Sequence, residues 1–307
     1  MGLLAIALSS CGGLFFVPEG QLILTPRQLD LDYQTFRART PDGANLHGWL
    51  LPGKPPVKGS IVFLHGNAQN ISYHIASVRW LPAKHYNVAL YDYRGFGLST
   101  GHSTLANAMT DLNVVLKTID TLLPQNERRY AIFGQSLGAS LAIGALAERP
   151  PPFPIRALII DSAFSGFRRI AREKMSEMIL TRPLSRALQY LFPASPNLLD
   201  DIGKIRGIPL LVIHGKDDQI VPSSHAQRLY ARANEPKPLI LQEGAKHIQS
   251  LAWPAVRQRM LAFLDQALST KSIGQGGGIQ ASGSFRRDGR NKATTRLSSK
   301  SRSTSSP

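Results

Sequence analysis

The sequence predicts an α/β fold: a mostly parallel central sheet, helices on both faces and one helical insertion. Three observations lead there. Short apolar runs recur along the chain, among them "IVFL", "VALY", "YAIF", "ALII", "LLVI" and "LILQ", each too evenly apolar for a half-exposed strand. Amphipathic stretches of helical period separate most of them, which implies crossover connections and therefore parallel strands. A chain of 307 residues, 43% hydrophobic, can also bury the core that such a sheet requires.

The elements follow in order. Between Tyr33 and Pro52, the segments "YQTFRA" and "LHGWLL" flank Pro41-Asp42-Gly43, a turn signal that predicts an antiparallel hairpin. "SIVFLHG" (60–66) is a buried strand, and a helical pattern runs from Tyr73 to Lys84. "NVALYDYRG" is the next strand, and "TLANAMTDLNVVLKTIDTLL" a long amphipathic helix. "RRYAIFG" leads into a helix after Ser136, and "IRALIIDSAF" and "IPLLVIHG" are two further strands. "PLILQEG" and "VRQRMLAFLDQAL" supply the last strand and helix. Residues 165–208 interrupt the rhythm with a long helix-forming stretch, read either as a lid over the C-terminal edge of the sheet or as a pair of crossover helices.

The two ends differ from the middle. The net charge of +16 would suggest a nucleic-acid partner, but +7 of it lies from Lys271 onward, where eight basic residues meet one acid. That stretch is Gly/Ser-rich and poor in large apolar residues, so it reads as a disordered basic tail (270–307), and nucleic acid is not the expected partner. A single cysteine, Cys11, excludes an intrachain disulfide. It ends the apolar segment "MGLLAIALSSC", with no Lys or Arg before it. The domain reading is therefore a signal segment at 1–10, an anchor or linker at 11–29, a folded domain at 30–269 and the tail.

In an open parallel sheet, ligands sit beyond the carboxyl ends of the strands, so the polar residues that follow each apolar run are the informative ones. They are His65-Gly66-Asn67-Ala68, Asp92 with Arg94, Gly134-Gln135-Ser136, His214 with Asp217 and Asp218, and Lys246-His247. A serine between glycines at a strand-to-helix junction, with an imidazole and carboxylates at the same edge, is the material of nucleophilic catalysis. Ser136 needs a base within reach, and His247 can take and return a proton near neutral pH. His65 and His214 are expected to hold their loops by hydrogen bonds. The remaining histidines lack partners at metal-ligand spacing, and no glycine-rich dinucleotide fingerprint is present, so neither a metal nor a cofactor is expected.

Gly134-Gln135-Ser136-Leu137-Gly138 resembles the nucleophile elbow of the α/β-hydrolases, and the order Ser136, Asp218, His247 is similar to that family's. "HGNA" at 65–68 resembles its oxyanion loop, while "DYRGFGLSTG" and "HGKDDQIVP" resemble further markers of a branch that includes membrane-associated acyl-protein thioesterases. The match runs from about Tyr33 to Leu268. It implies an α/β-hydrolase fold and a serine hydrolase that cleaves an ester or thioester of a small acyl substrate. A serine peptidase with the same triad is the alternative, and a non-catalytic binding domain a third reading. Asp218 is the implied acid, with Asp217 and Asp161 as the other candidates, and the resemblance also implies that Asp92 and Arg94 pair to brace the loops around the elbow. The implied oxyanion donors are the backbone N–H of Leu137 and that of Asn67 or Ala68. The N-terminus resembles a bacterial lipoprotein signal, which would make Cys11 a lipid anchor holding the domain on a membrane facing the periplasm or the exterior; a cytoplasmic location is the alternative.

Overall fold

A computed structural model describes residues 15–269; Cys11 and the basic tail lie outside the described residues. The strands are β1 (Gln34–Arg39), β2 (Asn45–Leu51), β3 (Gly59–Leu64), β4 (Tyr86–Tyr91), β5 (Tyr130–Gln135), β6 (Ile155–Asp161), β7 (Leu210–Gly215) and β8 (Leu239–Gln242). They form one sheet in the order β1-β2-β4-β3-β5-β6-β7-β8. β1 and β2 are the expected hairpin, and β2 also runs antiparallel to β4. From β4 to β8 every pairing is parallel.

The even apolarity of the central strands has a simple cause. Along β5, Tyr130 and Ile132 enter the core on one face of the sheet while Ala131 and Phe133 enter the core on the other. Val62 and Leu64 of β3 divide from Ile61 and Phe63 in the same way. The helices are α1 (Ile71–His74), α2 (Leu105–Leu122), α3 (Leu137–Glu148), α4 (Phe167–Glu177), α5 (Ser185–Leu188), α6 (Leu198–Lys204), α7 (Ser224–Arg232) and α8 (Pro254–Ala267). Leu112 and Leu116 of α2, Leu141 of α3, Ile202 of α6 and Leu229 of α7 fill one core. Val256, Met260 and Leu264 of α8 fill the other. The start of α2 is fixed by a reciprocal cap, in which the Asn107 N–H donates to Thr104 Oγ1 and the Thr104 N–H to Asn107 Oδ1.

The sequence pattern fails in one connection. The expected helix over Tyr73–Lys84 is instead the single turn α1 followed by two 3₁₀ turns, Ile75–Ser77 and Pro82–Lys84. Ile71, Ile75, Val78 and Leu81 are all buried, so the periodicity identified the inward face correctly. Val78 leaves helical geometry at φ −126° and ψ −13°, and Pro82 has no N–H to donate back to it, so the crossover is wound in separate turns. Residues 165–208 divide in two. Leu198 and Ile202 of α6 are buried in the main core as in an ordinary crossover, whereas 178–191 is a series of turns that leaves large apolar side chains exposed.

The close seating of α3 on the sheet makes a testable demand. A β-carbon on Gly138 would collide with the carbonyl oxygens of Leu64 and His65, which are rigid backbone. Gly138→Ala is therefore expected to lower unfolding free energy by about 1–3 kcal/mol, the usual cost of overpacking, as read by urea denaturation.

Candidate active site

Three loops and one helix end meet at the carboxyl edge of the sheet. Ser136 closes β5 and caps α3 with φ 51° and ψ −115°, a left-handed backbone that a non-glycine residue adopts only under constraint. Its N–H donates to the Asp161 carbonyl at 2.8 Å, and the turn leaves its side chain only partly buried. Ser136 Oγ lies 2.9 Å from His247 Nε2, and His247 Nδ1 lies 2.7 Å from Asp218 Oδ2. A carboxylate only accepts, so Nδ1 carries the proton and donates to Asp218. Nε2 is then free to accept from the serine hydroxyl, the tautomer a general base needs.

Asp218 is held from several sides. Its Oδ1 accepts the N–H groups of Ile220 and Val221 at 2.9 and 2.8 Å, and His214 Nε2 stands 3.3 Å from Oδ2. Burial alone would raise its pKa, but hydrogen bonds from His214 and His247 outweigh it and hold the carboxyl well below the ordinary range. The folded pKa is thus depressed, so this group's contribution to stability is present above the unfolded value of about 3.9 and is lost only as pH falls through the lower folded value.

The other two acids are placed differently. Asp217 is exposed at the edge of a cleft. Asp161 is fully buried, accepts from Gln135 Nε2 at 2.8 Å, and is pushed up by that burial. The structure brings Asp218, and neither of these, onto His247.

The loop from His65 to Gln69, where the oxyanion donors Asn67 and Ala68 were expected, is built against the same turn. A β-carbon on Gly66 would sit 3.6 Å from Ser136 Cβ, and Ala68 and Gln69 take successive left-handed conformations, φ 59° and 64°. Leu137 is the first residue of α3, so its N–H belongs to the unpaired set at the helix start. The Asn67 side chain is committed elsewhere, accepting the Val17 N–H at 2.9 Å. Tyr93 Oη donates to the His65 carbonyl at 2.8 Å and fastens the loop from below. His65 itself donates from Nδ1 to the Gly66 carbonyl, also at 2.8 Å, and His214 to the Val221 carbonyl at 2.7 Å, so both hold their loops.

One expected pairing is absent. Asp92 does not meet Arg94. The chain turns sharply after β4 and sends the two in opposite directions. Asp92 turns inward, where Oδ1 accepts the Ile71 N–H at 2.8 Å and Oδ2 is 3.5 Å from His47. Arg94 forks onto Asp111, at 2.7 and 2.8 Å, and onto Asp42, tying the hairpin turn to α2. Arg94, with help from Thr40, holds Asp42 at about 2.

Several contributors were not legible as site residues. Ser162 Oγ accepts the Ile248 N–H at 3.0 Å and so anchors the loop carrying His247; its only sequence signal is its place just past a strand end. Residues 15–24, expected within an anchor or linker, are strapped over the site. Asn70 Nδ2 donates to the Glu19 and Gln21 carbonyls at 2.9 and 2.8 Å, and Phe16 is buried against Tyr93 and Phe96. A second serine–histidine–carboxylate chain also exists, with Ser165 Oγ 2.9 Å from His225 Nδ1 and His225 Nε2 2.6 Å from Glu173. Here Nδ1 also receives the Ser165 N–H, and serine and imidazole are both buried, so this chain is an internal tether.

Beside His247 opens a cavity of about 590 Å³, lined by Tyr73, His74, Asp217, Gln219, Ile220 and Lys246 among others. Burial pushes the His74 imidazole down to about 4, so it is neutral near pH 7. Among the described residues, no group of three or more His, Cys, Asp or Glu side chains could hold a metal, and no helix is long and apolar enough to cross a membrane.

Comparison with known proteins gives a consistent picture. Residues 55–191 match the family described as serine aminopeptidase, S33. The chain is 32% identical over 272 residues to the protein YfhR of Escherichia coli (strain K12), covering 84% of this chain and 88% of that one. It is 27% identical over 236 residues to the human alpha/beta hydrolase domain-containing protein 17B, covering 76% of each. Among solved structures, the esterase Pf2001 of Pyrococcus furiosus superposes with a TM-score of 0.67 at 24% identity, covering 83% of this chain and 98% of that one, which shows the shared α/β-hydrolase fold.

The geometry separates the three candidate acids. Asp218→Asn is expected to reduce kcat about 10⁴-fold, because an amide neither fixes the Nδ1–H tautomer nor balances the imidazolium. Asp217→Asn and Asp161→Asn should each stay within about tenfold of the parent, since neither contacts His247. Steady-state kinetics of the three variants decides the assignment.

Proposed function

The chain belongs to the α/β-hydrolase family that includes the YfhR proteins and is a hydrolase, and we propose that it cleaves a carboxylic ester or thioester through an acyl-enzyme on Ser136. The observation that carries this reading is the unbroken hydrogen-bonded series from Ser136 Oγ through His247 to Asp218. Ser136 Oγ attacks the acyl carbon while His247 Nε2 takes its proton. Negative charge then develops on the carbonyl oxygen, where the N–H of Leu137 and one from Asn67 or Ala68 would receive it. The imidazolium, steadied by Asp218, returns the proton to the departing alcohol or thiol. Water, deprotonated by the same nitrogen, releases the acid and restores Ser136.

The family description favours a second reading, cleavage of a small peptide from its amino end by the same chemistry. We also propose that Cys11, outside the described residues, is the site of lipid attachment that holds the domain on the outer side of a bacterial membrane.

Labelling by a fluorophosphonate probe tests the nucleophile. The parent is expected to take the label and Ser136→Ala to lose it, with turnover falling about 10⁶-fold. A folded parent that takes no label refutes the acyl-enzyme. A panel of p-nitrophenyl acyl esters against aminoacyl p-nitroanilides is expected to favour the esters in kcat/KM; the opposite ranking selects the peptidase. Incorporation of an alkynyl fatty acid into the parent, and its loss in Cys11→Ser, is the expected result for the anchor.

A further inference from the structure

We propose that residues 178–191 of the insertion form a docking surface for an anionic lipid bilayer, independent of Cys11 and of the chemistry at Ser136. Large apolar side chains that face water are scattered over most of the described residues but concentrated here. Met178, Ile179, Leu180, Leu184, Tyr190 and Leu191 make up six of the twelve, with Ile179 91% and Leu180 87% exposed. Apolar exposure concentrated in one short segment marks an interaction surface. The turn that presents them is built: Thr181 Oγ1 donates to the Met175 carbonyl at 2.7 Å, and the Arg182 N–H to the Met178 carbonyl at 2.9 Å.

The charges around the patch identify its occupant. Arg182 and Arg186 are exposed, and no carboxylate lies within ion-pair distance of either among the described residues. The adjoining α4 carries Arg168, Arg169, Arg172 and Lys174 against two acids of its own, Glu173, paired with His225, and Glu177, paired with Lys174. Arg168 lies over the Tyr190 ring, 5.2 Å from its centroid, an amphipathic pairing suited to a headgroup layer. Aliphatic side chains interspersed with arginines match a bilayer with negative surface potential. A second copy of this chain seated there would bring like charges together instead.

The helix leading into the patch, α4, adjoins the candidate site. Lys174 Nζ donates to the Gln219 carbonyl at 2.6 Å, and Gln219 and the exposed Ile220 line the cleft beside His247. A bilayer held by 178–191 would therefore lie next to the opening of that cleft.

The test uses the full chain carrying Cys11→Ser, so that no attached acyl chain contributes. A Leu180→Cys variant of it, labelled with an environment-sensitive dye, reports on this surface and not on the basic tail. Adding vesicles of phosphatidylcholine with about one-third phosphatidylglycerol is expected to shift its emission to the blue, and pure phosphatidylcholine to do so far less. In flotation, Ile179→Asp with Leu180→Asp is expected to weaken binding about tenfold or more, and Arg182→Glu with Arg186→Glu to weaken it while flattening its salt dependence. Circular dichroism should show all variants folded. No spectral shift, or vesicle binding undiminished by the paired aspartates, overturns the proposal. So does a concentration-dependent dimer in sedimentation that Ile179→Asp abolishes while vesicles fail to bind.

Discussion

Ser136 occupies a backbone conformation that costs a non-glycine residue about 1–3 kcal/mol, and the surrounding fold exists in a form that keeps it there. Its N–H is captured by the carbonyl of Asp161 on the neighbouring strand, and its carbonyl receives the Ser140 N–H as α3 begins. Relaxing the turn would break both bonds and lift α3 off the backbone of β3. The sheet order, with β5 flanked by β3 and β6, puts the loop at His65–Gln69 on one side of the serine and the Asp161–Ser162 turn on the other.

Around that turn the fold uses buried polar groups as fasteners more than as reagents. His65, His214, Ser162, Tyr93 and Asp92 each hold a loop through a hydrogen bond to backbone, and each is buried. In a low-dielectric setting such bonds are strong when made and costly when broken, so the loops carrying Ser136, His247 and Asp218 share one rigid frame. His225 does the same for the insertion, tethering α4 and the loop after β6 to α7.

The α/β architecture was legible because strands buried on both faces leave an unmistakable apolar run, and because each run ended in residues with chemistry. Ser136 and His247 could be named from their places at those ends and Asp218 only through the family resemblance, and the structure sets His247 within hydrogen-bond reach of both. What stayed hidden was whatever depends on direction. Residues two apart just past a strand end, such as Asp92 and Arg94, diverge once the chain turns, and spacing alone gives no sign of it. The 71–84 crossover hid its breaks because 3₁₀ turns can bury the same positions as a helix. Ser162 carries no motif at all; its importance comes from a backbone N–H 86 positions away in the chain.

The strap at 15–24 changes where the domain begins. Its backbone is stitched to Asn67, Asn70 and Ser72, so the segment leading in from the N-terminus forms one wall of the loop that would receive developing negative charge. A shortened protein starting at the β1 hairpin would keep every strand and all three of Ser136, Asp218 and His247, yet leave Asn67 Oδ1 and the Asn70 amide without their backbone partners. Trimming to the apparent domain edge would thus loosen the rim of the site and strip Phe16 and Leu24 from the two cores, and poor turnover from it would say little about the intact chain.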